Sequence, residues 1–502
     1  MRYFKNPIYL SLVYGLNIFA SVPFTEGISF TASSAATATS LSVSPQNLNG
    51  WVGKAQYILM SYGAIRSFNK TTGQADGILN VAAADFFGGT VADVRIDYDR
   101  FSDRWFMSAQ VSKNLFQEGT ELDLVLAMSS EGTITNSTKW SLFKVSADRL
   151  SPNVPLAAVT PLDYNELATD ANAVYICVHV FNEDSTFSTA TVVYQTKSLL
   201  ARKPIITIFP FLAKNTAQIA PADNFDTSVK FGYLVYPFYP PTNPFPTGNQ
   251  MSFTRVINPG SAKPTLSSEI LVTLPEQFCA ESTPRVNVPH LGNLYGATLG
   301  NLQYQGGGNS VSAPHVRDNQ LYIVQAVNVN QNGQCPNAGG DRIGARWYQF
   351  DLTGDLTGQG KGTETATTVP VLVQSGTLFD TAPGPTGQLS YYIPAIMTNK
   401  KHDMVIAGTT SSSNTYTDIF YATRSASDPL NTLNPPLRLT NSGNPYNYGA
   451  LSEAAHGFGG QRWGDESSLS PDPSNDLNIW ITGEWAPIYN AWGIQAIELI
   501  AN

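Results

Sequence analysis

The residues best placed to do chemistry in this chain are carboxylates. Asp93, Asp163, Asp465 and Glu466 sit at matching positions, six or seven residues ahead of Asp99, Asp170 and Asp472, each of which closes a short apolar run. Arg95, Glu166, His315 and Arg462 fall close by in the same register. Acidic groups gathered at one place can hold a hard cation such as Ca²⁺, or flank a glycosidic bond as acid and base. They can equally hydrogen-bond backbone at strand ends and pair with Arg95 and Arg462, which is a structural task. All three readings stay open at this level. The candidate ligand-binding set is Asp93, Arg95, Asp163, His315, Arg462, Asp465 and Glu466. A structural Ca²⁺ is the one ion the set suits, no cofactor is implied, and no residue is assigned as catalytic. Of five histidines, His315 and His456 are the two to weigh as ligand or base, against the plainer reading of a satisfied polar residue.

Motifs for other chemistries are missing. There is no G-x-S-x-G elbow, H-E-x-x-H, P-loop or EF-hand loop. Among three cysteines, none has a second Cys or a His at ligand spacing, so a zinc site is not expected. Cys177 lies in an apolar run, 174–180, and reads as a small buried hydrophobe. Cys279 and Cys335 lie in loop-like segments, either as one disulfide closing a long loop or as two unpaired thiols.

The elements that must position the carboxylates are strands. Runs rich in Val, Ile, Tyr, Phe and Thr recur between Gly, Pro, Asn and Asp clusters, and helical periodicity is nearly absent. A strand ending in Asp or Asn, a tight polar turn and an apolar strand repeat on Asp99, Asp170, Asp226, Asp318, Asn399 and Asp472. A third strand follows each hairpin and a fourth follows several. Four antiparallel strands per unit, repeated around an axis so that few edges remain, make a β-propeller. The fold expected is all-β, a single propeller over 51–502 with seven four-stranded blades, six and eight being the neighbouring counts. The pair of strands at 55–70 supplies the blade lacking a leading copy. Aligned this way, the acidic positions ring one mouth of the central channel. Trp105, Trp347 and Trp480 fall on strands and should be core, whereas the Pro-rich run 236–245 reads as an extended insertion, a surface for sugars or partners or a loop packed on its own blade.

Composition narrows the partners. The 502 residues are 42% hydrophobic and only 13% charged, with 40 Gly and 32 Pro; about a quarter charged is usual. Net charge is −9 with no basic run, which excludes nucleic acid and anionic lipid surfaces. Arg2 and Lys5 precede an apolar stretch at 8–20, followed by a small-residue polar run at 31–44. That is the plan of a secretory signal peptide, and the stretch is too short for a bilayer span of about 20 residues. The expected organisation is a signal peptide at 1–20, a flexible polar segment at 21–50 and the propeller, with a secreted, periplasmic or cell-surface destination and no membrane insertion of the mature chain.

Two resemblances add to this reading. The turn at 99–105, with Asp99 and Trp105, and that at 472–480, with Asp472 and Trp480, loosely resemble the Asp-box hairpin of sialidase-like propellers. The sialidase arginine triad and R-I-P motif are unmatched. The segment GQRWGDESSLSPDPSNDLNIWITGEW at 460–485, with DVRIDYDRFSDRWF from Asp93 and SYYIPAIMTNKKHDMVIAGTTSS from Ser390, resembles exported bacterial propeller proteins of unassigned activity. That likeness implies the fold and transfers no catalytic residue. The expected function is a binding or scaffold module for a protein or glycan, the rival a carbohydrate-active hydrolase or lyase using the acidic mouth.

Overall fold

The computed structural model describes residues 22–34, 48–113 (save 62), 122–150, 162–181, 187–211, 218–239, 247–279, 285–297, 301–305, 311–335, 340–356, 368–447 (save 385) and 461–502. The proposed signal peptide, 1–20, and His456 lie outside the described residues.

Seven antiparallel sheets form a ring, one per blade. In chain order, blade I spans 48–81, II 90–146, III 162–211, IV 220–279, V 312–378 and VI 390–438. Blade VII combines Ser468–Pro471, Ile479–Ile488 and Ala491–Ala501 with an N-terminal strand, Phe24–Ser34. The innermost strands are those of the repeat, for example Thr90–Asp99, Leu162–Thr169, Ser390–Thr398 and Ser468–Pro471. Each Asp-ended turn works as the residue type dictates. Asp99 accepts from the Phe101 and Ser102 amides at 2.9 and 3.1 Å, and Asp170 from those of Asn172 and Ala173 at 2.7 and 2.8 Å. Trp105, Trp347 and Trp480 are buried between blades.

Three expectations need correction. Residues 24–34 are not a flexible lead-in: they pair from Phe24 with Ala501 to Ser34 with Gly493, closing the ring. Ile28, Phe30 and Ala32 alternate with polar residues, and that period of two turns one face against blades I and VII, with Phe24 buried beyond a register shift between Glu26 and Ser29. In blade IV, Asp226 does not end an inner strand. That strand is the short Ala220–Pro221, while Asp223–Asn224 runs parallel to the inner strand of blade V and Asp226 caps the Asp318 and Asn319 amides. Residues 236–238 belong to the strand Phe231–Phe238 rather than to an insertion. Pro237 is tolerated because the inner neighbour pairs only with Leu234 and Val235, leaving that edge without a ladder to break.

Outside the ring, Arg285–Val288, Leu302–Gln305 and Gln461–Arg462 make a small sheet. Cys279 and Cys335 form a disulfide across 56 residues, joining blade IV to a loop of blade V, and Cys177 is a buried free thiol.

Candidate functional site

The inner strands carry the same irregularity in four blades. Register breaks between Ala92 and Arg95, Asp163 and Glu166, Ser312 and His315, and Tyr392 and Ala395. At each break one residue has positive φ: Asp93 (43°), Tyr164 (50°), Ala313 (45°) and Ile393 (52°). Such bulges re-aim side chains, and left-handed non-glycine residues persist only where their surroundings over-determine them. In blades II and III the residues at these bulges are the acidic Asp93 and the aromatic Tyr164, in blades V and VI the apolar Ala313 and Ile393.

The predicted mouth residues do meet, apart from His315. Arg95 reaches across the channel, its Nε 3.1 Å from Glu166 of blade III and its Nη2 3.1 Å from Glu466 at the entry to blade VII. Gln218 adds a donor to Glu166 at 3.1 Å. Although burial alone would lower it, the field of Glu166 and Glu466 raises Arg95 above its usual value. Arg462 donates to Asp465 at 2.7 Å. Asp93 accepts from Gln110 Nε2 at 2.7 Å and from the Tyr164 amide at 2.6 Å. Burial, then the neighbouring Asp93, holds Asp163 well above the carboxylate range. Burial does the same to Glu466, against the pull of Arg95.

His315 lies further along the axis. It is fully buried, contacts Thr398 Oγ1 at 2.9 Å through Nε2 and stacks on Tyr322, so it neither lines the mouth nor faces a ligand. At the hairpin end the ring is bridged. Asp476 of blade VII binds Arg317 of blade V at 2.7 and 2.9 Å and Arg100 of blade II at 2.9 Å, and both guanidinium groups lie over Phe225, at 4.9 and 4.7 Å. Above this bridge, a cavity of about 80 Å³ that opens to solvent is lined by Asn49, Trp51, Arg95, Tyr164, Glu166, Gln218 and Glu466, among others. Sequence reasoning missed Gln218, which lies on no repeated position, and Glu484, a fully buried carboxyl on the second strand of blade VII. Among the described residues no three His, Cys, Asp or Glu side chains are arranged to hold a metal ion.

No family model matches the chain, and no curated protein does. Solved structures do match. An ACO/RPE65 chimera is 12% identical over 79% of this chain and 72% of that one, with a TM-score of 0.38. Trypanosoma rangeli sialidase in complex with the inhibitor DANA is 11% identical over 81% and 54%, with a TM-score of 0.34. The WD40 domain of SCAP from fission yeast is 10% identical over 89% and 82%, with a TM-score of 0.33. Likeness at this level carries no functional argument. The propeller is established by the sheet order around the ring.

Buried ionisable groups give the fold a definite pH response. Burial pushes Asp97 and Asp170 up to about 6, and Asp163, Asp223, Glu466 and Glu484 well above the usual range. Burial pushes His179 down to about 4 and His315 to about 3. A raised carboxyl stabilises the fold below its unfolded value of about 4 and loses that contribution as pH climbs through the folded value. A lowered histidine contributes above about 6.5 and loses its share as pH falls toward the folded value. Each proton is worth about 1.4 kcal/mol per pH unit. The carboxyls outnumber the histidines, so Tm measured by scanning calorimetry should be higher at pH 5 than at pH 7.5; a Tm rising throughout that interval would contradict these assignments.

Proposed function

We propose that this propeller is an exported binding module, whose loop-bearing face and axial cavity hold a protein or glycan partner. One observation carries the reading. The acidic groups at the mouth are engaged with one another or with neighbours: Glu166 and Glu466 on Arg95, Asp465 on Arg462, Asp93 on Gln110 and the Tyr164 amide. Hydrolysis by a carboxylate pair needs one group free to act as nucleophile or base and the other to deliver a proton across a separation of about 5 to 10 Å. A guanidinium shared by Glu166 and Glu466 opposes that division of labour, because it occupies both Glu166 oxygens and Oε1 of Glu466 with its own hydrogen bonds.

Support for export comes from the charged and apolar pattern of residues 2–20, and the disulfide suits an oxidising compartment. The ring-closing strand begins at Phe24, so cleavage after Ala20 would leave it whole. Among the described residues no helix is long and apolar enough to cross a membrane. The test is a glycan array combined with a pull-down from extracellular protein, using the chain from residue 21. Retention of a defined glycan class or protein is expected; retention of nothing on either would overturn the proposal.

A further inference from the structure

The mouth holds polar atoms that the fold itself does not use. The Glu466 side chain is only 10% exposed. Its Oε1 accepts from Arg95 Nη2, whereas its Oε2 is buried with no hydrogen-bond partner among the described residues. The Tyr164 hydroxyl and Ser467 Oγ are in the same condition, and all three residues line the axial cavity. Leaving such groups unsatisfied costs stability, so three converging on one cavity mark the place where a ligand completes the bonding. Tyr164 is moreover held there by a left-handed backbone.

The chemistry of the missing partner follows from what is left over. Glu466 keeps its proton while the cavity is empty, and an ammonium group can take that proton's place, leaving Oε2 to accept from it. Around Glu466 stand Asp93, Asp163, Glu166 and Asp465, against the two cations Arg95 and Arg462, so the mouth stays negative even with Asp163 and Glu466 holding their protons. An anion is repelled, and a neutral ligand leaves the excess charge in place. Trp51, also in the lining, offers a π face suited to an organic cation. We infer that the axial cavity binds a small organic cation carrying an ammonium group, which donates to Glu466 Oε2 and meets the Tyr164 hydroxyl. This inference rests on the binding role proposed above.

Calorimetric titration of the chain with glucosamine, glucose and 1,4-diaminobutane tests it, because glucosamine and glucose differ at one substituent that carries the charge. Glucosamine is expected to bind at least tenfold more tightly than glucose, with added salt weakening it. Glu466→Gln should lose about tenfold in affinity for both ammonium compounds. Tyr164→Phe should also bind more weakly, yet melt at the same temperature as the parent or higher, since the hydroxyl it removes has no partner within the fold. A merely structural tyrosine would show the reverse. Glucose binding as tightly as glucosamine overturns the charge argument and leaves the binding role standing. No heat from either ammonium compound overturns the inference outright, and a glycan retained on the array in that case keeps the binding role without the cation. Silence in both experiments removes both.

Discussion

A chain begun at residue 35 is expected to lose its cooperative unfolding transition and to aggregate. The strand Phe24–Ser34 is the outer strand of blade VII, and without it Ala491–Ala501 becomes a long exposed edge. The strand also joins the first and last blades of the ring: Phe30 packs against Tyr57 and Phe68 of blade I and Trp480 of blade VII, with ring centroids 5.7, 4.9 and 6.3 Å away. Burying Phe24, Ile28, Phe30 and Ala32 is worth about 5 to 8 kcal/mol in all, at roughly 1.5 to 3 kcal/mol for a large apolar side chain. That is comparable with the whole stability of a typical domain, about 5 to 15 kcal/mol. Thermal unfolding of the chain begun at residue 21, compared with that begun at residue 35, gives the answer. A Tm within a few degrees of the longer chain would mean that the ring closes without this strand. Phe30→Ala, in the intact chain, should cost about 2 to 3 kcal/mol.

Arg95→Met should cost about 3 to 5 kcal/mol, because it strips one guanidinium from two carboxylates that it alone draws together across the channel. At about 2.1 cal/mol/K per residue over roughly 450 folded residues, the Tm falls by about 4 °C. The size of the loss comes mainly from the oxygens of Glu166 and Glu466 left without the guanidinium donor rather than from the ion pairs themselves. The triple variant with Glu166→Gln and Glu466→Gln should therefore regain most of it. If the triple variant is no more stable than Arg95→Met, the bonding of those oxygens is not what Arg95 supplies, and its role is packing alone.

Much of the architecture can be read from the chain because a propeller repeats. Asp99, Asp170, Asn399 and Asp472 close inner hairpins by capping amides, a task that selects Asp or Asn and so prints a period on the sequence. The mouth residues follow from that period by counting back along a strand. Where the period fails, so does the reading. Asp226 has the right residue type but serves the turn of blade V, because the inner strand of blade IV has shrunk to Ala220–Pro221. The closing strand was legible in the alternation of Ile28, Phe30 and Ala32, yet its polar partners, Thr25, Glu26, Ser29 and Thr31, make it look like a tail. His315 sits on an inner strand as expected, but its depth along the axis depends on how far each strand extends from its turn. In blade V the turn is the two-residue Asp318-Asn319, both at positive φ, which shifts the bulge by one place. Pairings across the ring, such as Arg95 with Glu466 or Arg317 with Asp476, leave no local trace, since only closure brings their blades together.

The most direct measurement of the central claim is turnover of a panel of aryl glycosides by the purified chain. Carboxylates tied to Arg95, Arg462 and Gln110 predict no hydrolysis above background for any of them. Hydrolysis that disappears in Asp465→Asn or Asp93→Asn variants of unchanged Tm would contradict that prediction and make the acidic mouth an active site.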